Sequence, residues 1–443
     1  MKTLVLLFAS AAAAYPQVYQ PADLGGSYVM EFERAPINYS HPPDRDPIAR
    51  LQAKIDSGEK RLVWATDGRG YLRSLLDALA VPVSSQSLVF SKTSLQLHKI
   101  APDTPRALYF NDDVYIGFVQ RGDVLEISSV DPERGGMFYT LEQRPVEKPR
   151  IRRQEDCLQC HASGRTLGVP GHIVRSVHVD NEGQPMFTGG GYNPDHRTPF
   201  GERFGGWYVT GKHGAQRHLG NVYVKDRGQP DKVDTEAGAN ALTLDRFGVN
   251  MAPYLTPHSD LVAQLVLQHQ SRMHNLIARV NFETKVALEA QQAMDKVLGK
   301  QPGGGWTDST KRRIYGPAET LVRYMLFADE APLAGQVAGT SPFTEEFAQL
   351  GPRDRRGRSL REFDLQRRLF KYPMSFLVYT EAFDSLPAPA KTYAWRRLWE
   401  VLSGKDQRKE FAALSAADRQ AVREILVDTR PDLPAYWRTA AAR

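Results

Sequence analysis

Only two cysteines occur in the 443 residues, and they stand close together in Cys157-Leu158-Gln159-Cys160-His161. That pair constrains the chain more than any other feature. No thiol is left for a structural disulfide framework, so an apolar core must stabilise the fold. The same five residues concentrate two nucleophilic thiols and an imidazole within about one helical turn. Three chemistries use such a pair: a redox dithiol, half of a zinc site, or attachment of a single cofactor. A dithiol usually opens a helix after a strand in a βαβ unit. The flanks here, Arg152 to Asp156 and Ala162 to Gly164, show no apolar strand. A structural zinc site needs two further ligands at short spacing, and only His161 and His172 are near.

The motif reads C-x-x-C-H and in this resembles the haem-attachment signature of c-type cytochromes. The resemblance covers five residues. It implies one covalent haem c, with Cys157 and Cys160 bonded to the porphyrin vinyl groups and His161 as proximal iron ligand. Class I cytochromes c are small and mostly helical, and this chain departs from them on both sides of the motif. Their distal ligand therefore does not transfer.

The N-terminus agrees with haem attachment. Lys2 precedes an apolar run from Leu4 to Ala14, and Ala12 and Ala14 form an A-x-A-like cleavage site. This reads as a signal peptide over 1–14, implying a periplasmic or secreted protein. The run is too short for a membrane-spanning helix, which takes about 20 residues, and no later stretch suits one. No transmembrane anchor is expected.

Net charge is +6. Ordinary solubility accounts for a surplus of this size. Yet Lys148, Arg150, Arg152 and Arg153 directly precede the motif, and Arg165 and Arg175 follow it. The clustering suits docking to an acidic redox partner, or pairing with haem propionates. Nucleic acid is not expected, since stacking aromatics are not interleaved with the basic residues.

Periodicity predicts an α+β fold. Residues 15–145 read as a β-rich N-terminal domain, opened by an extended arm over 15–45. Helical spacing covers 47–57 and 70–79. Ala107 to Phe110, Val114 to Phe118, Val124 to Val130 and Met137 to Leu141 alternate as a meander punctuated by Asn, Asp and Gly turns. Residues 146–300 form the cofactor region, with strands expected over 172–179, 207–210 and 221–225 and a long helix over 259–298. Residues 301–443 read as a helical domain, with helices over 307–327, 360–383 (broken at Pro373), 388–402 and 416–428. Ser415 to Asp418 resembles a capping box.

The iron's sixth position separates electron transfer from small-molecule chemistry. Histidines 172, 178, 196, 213, 218, 258, 269 and 274 and methionines 186, 251, 273 and 374 are available. At about 100° per residue, Val262, Leu265, Val266, Met273, Leu276 and Val280 share one helical stripe, and His269 falls in its middle. His269 is therefore the distal candidate, against the alternative of a core histidine bonded to a carbonyl. His213, His172 and Met273 follow. An exported monohaem electron carrier is the leading expectation. A haem enzyme (a peroxidase or small-oxide reductase, using His196, Arg197, Trp207 or His213) and a haem-based ligand sensor remain open. Bacterial di-haem peroxidases carry two such motifs, and this chain has one.

Overall fold

In a computed structural model the described residues are 31–41, 43–300 and 305–439. The expected signal peptide and the first half of the extended arm lie outside them. Two helices come first, α1 (Pro47–Asp56) and α2 (Leu72–Ala78). The Asp46 side chain caps α1 by accepting from the Ile48 and Ala49 amides. The same carboxylate accepts from Tyr139 Oη at 2.7 Å and from Ser129 Oγ, fastening the helix to a sheet.

That sheet has six antiparallel strands in chain order: β1 (Ser87–Val89), β2 (Arg106–Phe110), β3 (Val114–Phe118), β4 (Val124–Asp131), β5 (Gly135–Glu142) and β6 (Ile151–Arg153). Register places Tyr109, Ile116, Ile127 and Tyr139 in one row. This face packs on Ile48, Leu51, Leu72, Leu75 and Leu76 in a first apolar core. The opposite face carries the rows Phe110–Tyr115–Ser128–Phe138 and Leu108–Gly117–Glu126–Thr140–Arg152. Its apolar end faces helix α4 (Leu261–Val297), and its polar end faces the cysteine motif, which follows β6 as the one-turn helix α3 (Leu158–His161). The antiparallel meander and its helices make an α+β fold.

Between the motif and α4, regular structure is sparse. Strands expected over 172–179, 207–210 and 221–225 reduce to β7 (Ser176–Val177) pairing β8 (Gly191–Tyr192), plus isolated bridges at Trp207 and Thr210. Side chains replace a strand ladder there. Asn221 accepts from the Val209 amide and donates to the Val209 carbonyl, at 2.7 and 2.8 Å.

The remaining helices are α5 (Asp308–Met325), α6 (Phe343–Gln349), α7 (Glu381–Asp384), α8 (Ala388–Leu402), α9 (Ala416–Thr429) and α10 (Tyr436–Thr439). The Ser415–Asp418 capping box forms. The helix expected over 360–383 does not. Leu360, Leu369, Phe370, Met374 and Phe376 are core residues, but they reach the core from a loop in which Leu365 has φ +55°. A second apolar core runs from Val89 through α4 to Trp437, so the connection near residue 300 joins helices that share one interior. Among the described residues no helix is long and apolar enough to cross a membrane.

Candidate cofactor attachment site

The motif is held by the sheet on one side and by α4 on the other. After β6, the Gln154 amide donates to the Phe138 carbonyl and its side chain to Thr140 Oγ1, both at 2.9 Å. A 3-10 turn over Glu155–Cys157 leads into α3, and Leu158 buries its side chain as the anchor. Cys157 is left half-buried, Cys160 exposed and His161 half-buried. Both thiols are free.

His161 is fixed in orientation. Its ring packs on Phe138 with centroids 4.6 Å apart. Its Nδ1 lies 2.9 Å from the Gly171 carbonyl oxygen. A carbonyl only accepts, so Nδ1 carries the proton and Nε2 presents its lone pair. No described residue bonds Nε2. Burial pushes the imidazole below its ordinary range, helped by Arg106 and opposed by the Gly171 carbonyl and Glu126, so the ring is neutral at neutral pH. The Arg106–Glu126 ion pair, 2.9 Å long, stands on the adjacent sheet face.

Gly171 is itself clamped. Its amide returns a hydrogen bond to the His161 carbonyl at 2.8 Å. Asn275 on α4 brackets the next residue: Oδ1 accepts from the His172 amide and Nδ2 donates to the His172 carbonyl, both at 2.8 Å. The Pro170 carbonyl accepts from the Gly136 amide of β5 at 2.9 Å. Residues 162–171 are thus a closed loop between β5 and α4. Phe138 and Asn275 were not singled out by sequence; only the run Gly168-Val169-Pro170-Gly171 marks a tight loop there.

The thiol alternatives fare differently. The strand β6, unforeseen, does precede the motif, but it is an antiparallel edge strand and α3 is one turn long, so no βαβ unit exists. Burial, with the charges of Glu126 and Asp156, pushes the Cys157 thiol up to about 11. An oxidoreductase dithiol needs the opposite shift. Among the described residues no three His, Cys, Asp or Glu side chains gather as a metal-binding group.

His269 lies elsewhere. Its Nδ1 is 2.8 Å from His196 Nδ1 and its Nε2 is 2.9 Å from Ser375 Oγ, within a cage of Tyr324, Phe327, Phe370 and Phe376. The structure does not bring it together with His161. The one-sided stripe also fails, because α4 is buried on all sides from Leu261 to Ser271. His213 has both nitrogens engaged, by the Gln216 carbonyl and the Asn240 amide. His274 Nε2 meets the Asp112 carbonyl at 2.8 Å. Met273 is fully buried in the apolar core. Of the alternatives, His172 alone is close to the motif. Neither of its nitrogens has a partner among the described residues, and it packs on Tyr115 at 4.4 Å and Phe138 at 6.3 Å.

Of the basic residues, Arg153 is structural, bonded to Asp44 and the Tyr39 carbonyl. Lys148, Arg150, Arg152 and Arg165 are exposed, with no ion-pair partner among the described residues. Arg175 lies over the exposed Phe187 ring, 5.0 Å from its centroid. No family model matches the chain, and no match was found among curated proteins or solved structures.

Proposed function

We propose that this chain is an exported, c-type cytochrome-like protein that carries one covalent haem and transfers electrons. One observation carries the reading: beside two free thiols, His161 has its Nδ1 proton committed to the Gly171 carbonyl and its Nε2 without a partner among the described residues. A haem-iron imidazole requires that tautomer, with its other nitrogen held by a backbone carbonyl. The donor set fits. Cys157 and Cys160 would hold the porphyrin, and His161 the iron. When bound, haem supplies one-electron chemistry whose potential depends on axial ligand and burial. Phe138 sets the ring plane of His161, Gly171 retains its proton, and Asn275 fixes the loop that carries Gly171. The unpaired Lys148, Arg150, Arg152 and Arg165 favour an acidic protein partner. The run from Lys2 to Ala14 supports export.

A second reading, a haem enzyme or ligand sensor with an open iron position, is favoured by one finding: the nitrogens of His269 and His213 are already engaged. Both readings share one test. The chain is produced with a c-type maturation system and extracted with acidified organic solvent. Haem retained by the wild type, weakened in Cys157→Ala or Cys160→Ala and lost from the double variant, supports attachment. Haem released from the wild type overturns it. A low-spin spectrum indifferent to carbon monoxide favours electron transfer, and a high-spin, carbon monoxide-reactive spectrum favours the second reading.

A further inference from the structure

A cavity of about 420 Å³ lies away from the cysteine motif, where α2, the β2–β3 turn, α4 and α6 meet. Its size suits a small organic molecule. Leu76 and Val81 supply aliphatic wall. Phe110, Phe343 and Phe347 supply an aromatic one, with centroids 5.7 Å apart for the first pair and 5.4 Å for the second. Ring faces of this kind attract cations as well as apolar groups.

The polar lining has one sign. Asp77, Asp112 and Glu346 line the cavity, and no lysine, arginine or histidine does. Asp112 is neutralised by Arg361, and Asp77 pairs with Arg73. Among the described residues Glu346 has no ion-pair partner, and it accepts from Ser84 Oγ. A second acceptor is built in. Gln270 is fully buried, and its Nε2 is committed to the Asn111 carbonyl and Tyr115 Oη, both at 2.9 Å. Because a carbonyl cannot donate, the amide orientation is fixed, and Gln270 Oε1 has no partner among the described residues. A buried acceptor left unbonded carries a penalty that a donor relieves.

We propose that this cavity binds a small hydrophobic amine, its apolar body against Phe110, Phe343 and Phe347 and its ammonium group served by Glu346 and Gln270. Neither a carboxylate nor an apolar molecule without a donor matches this lining.

Isothermal calorimetry on the full chain tests the assignment with three probes of one shape: 2-phenylethylamine, 2-phenylethanol and 3-phenylpropionate. The amine binds saturably, the alcohol about tenfold more weakly, and the acid gives no heat. Glu346 is exposed, so Glu346→Gln leaves the thermal midpoint unchanged while weakening the amine about tenfold. Leu350→Trp, at the exposed rim, blocks all binding. No amine binding, equal affinity for the three probes, or an amine affinity indifferent to Glu346→Gln overturns the proposal.

Discussion

His161 and Gly171 hold each other by two hydrogen bonds of opposite direction. The His161 ring Nδ1 donates to the Gly171 carbonyl at 2.9 Å, and the Gly171 amide donates to the His161 carbonyl at 2.8 Å. The imidazole is thereby locked in rotation and tautomer before any cofactor arrives. Pre-organisation of this kind is what second-shell partners give a metal-binding histidine.

Gly171 tolerates no side chain. A Cβ there would stand 2.2 Å from Asn275 Oδ1, the atom that accepts from the His172 amide. Gly171→Ala therefore displaces the clamp and costs about 1–3 kcal/mol of stability. Gly164 in the same loop meets nothing within 4 Å, so Gly164→Ala changes stability by less than about 0.5 kcal/mol. Urea unfolding compares the two. Equal, small effects would mean that the Asn275 bracket does not position the loop.

His269 is expected to act as a structural link. His269→Ala leaves His196 Nδ1 and Ser375 Oγ without partners and opens a void among Tyr324, Phe327 and Phe376. The cost is about 2–4 kcal/mol. The visible spectrum of haem-loaded protein is expected to stay unchanged. Conversion from low-spin to high-spin iron in this variant would instead make His269 the sixth ligand.

Acid should weaken the fold. Burial holds His218 and His269 down to about 3 and His274 down to about 4, and holds His172 and His196 well below the ordinary value near 6.5. Between those values the unfolded chain binds protons that the folded chain refuses. Their contribution is full above about pH 6.5 and declines as pH falls toward the folded values. Asp113 and Glu330 oppose this. Burial pushes both carboxyls up to about 7, so their contribution is present below about pH 4 and is lost as pH rises through 7. The histidines outnumber the acids, and the urea midpoint should be lower at pH 4.5 than at pH 7. Asp113→Asn should raise the midpoint at pH 8 and leave it unchanged at pH 4. A gain of the same size at both values would remove Asp113 from the account.

The parts legible in sequence were those governed by local pattern. The meander from Arg106 to Glu142 shows as short apolar runs cut by Asn, Asp and Gly turns, and one face buries Tyr109, Ile116, Ile127 and Tyr139 together. Helix α9 announces itself by its capping box, and α1 and α8 by spacing. Short elements set by partners were missed. Ile151–Arg153 becomes a strand only because β5 offers its edge, and Phe343–Gln349 a helix only because its phenylalanines reach the second core. The one-sided stripe that put His269 forward fails for one physical reason. Stripe reasoning supposes a solvated face, and α4 buries Gln264, Gln268, His269 and Gln270 as fully as its leucines. The motif itself was legible; its clamp was not, since Asn275 follows His172 by 103 positions.

Asp260 is expected to be the most costly single polar residue of the framework behind the site. It is fully buried at the start of α4. Oδ1 accepts from the Val262 and Ala263 amides at 2.8 and 3.0 Å, capping the helix. Oδ2 accepts from the Thr340 and Ser341 amides at 2.8 Å and from Ser341 Oγ at 3.0 Å. One carboxylate thus joins the long helix to the segment leading into α6. Asp260→Asn keeps the shape but puts an NH₂ donor against donors on one side or the other. Buried amides then go unpaired, and stability falls by about 3 kcal/mol or more. Amide exchange should locate the damage. If Asn turns its NH₂ toward Thr340 and Ser341, those two amides lose protection while Val262 and Ala263 keep theirs, because the helix cap survives. The Asn275 bracket, a further four turns along α4, should retain its protection at His172. Uniform loss of protection along α4 would show that the cap, rather than the junction with Thr340 and Ser341, is what Asp260 secures.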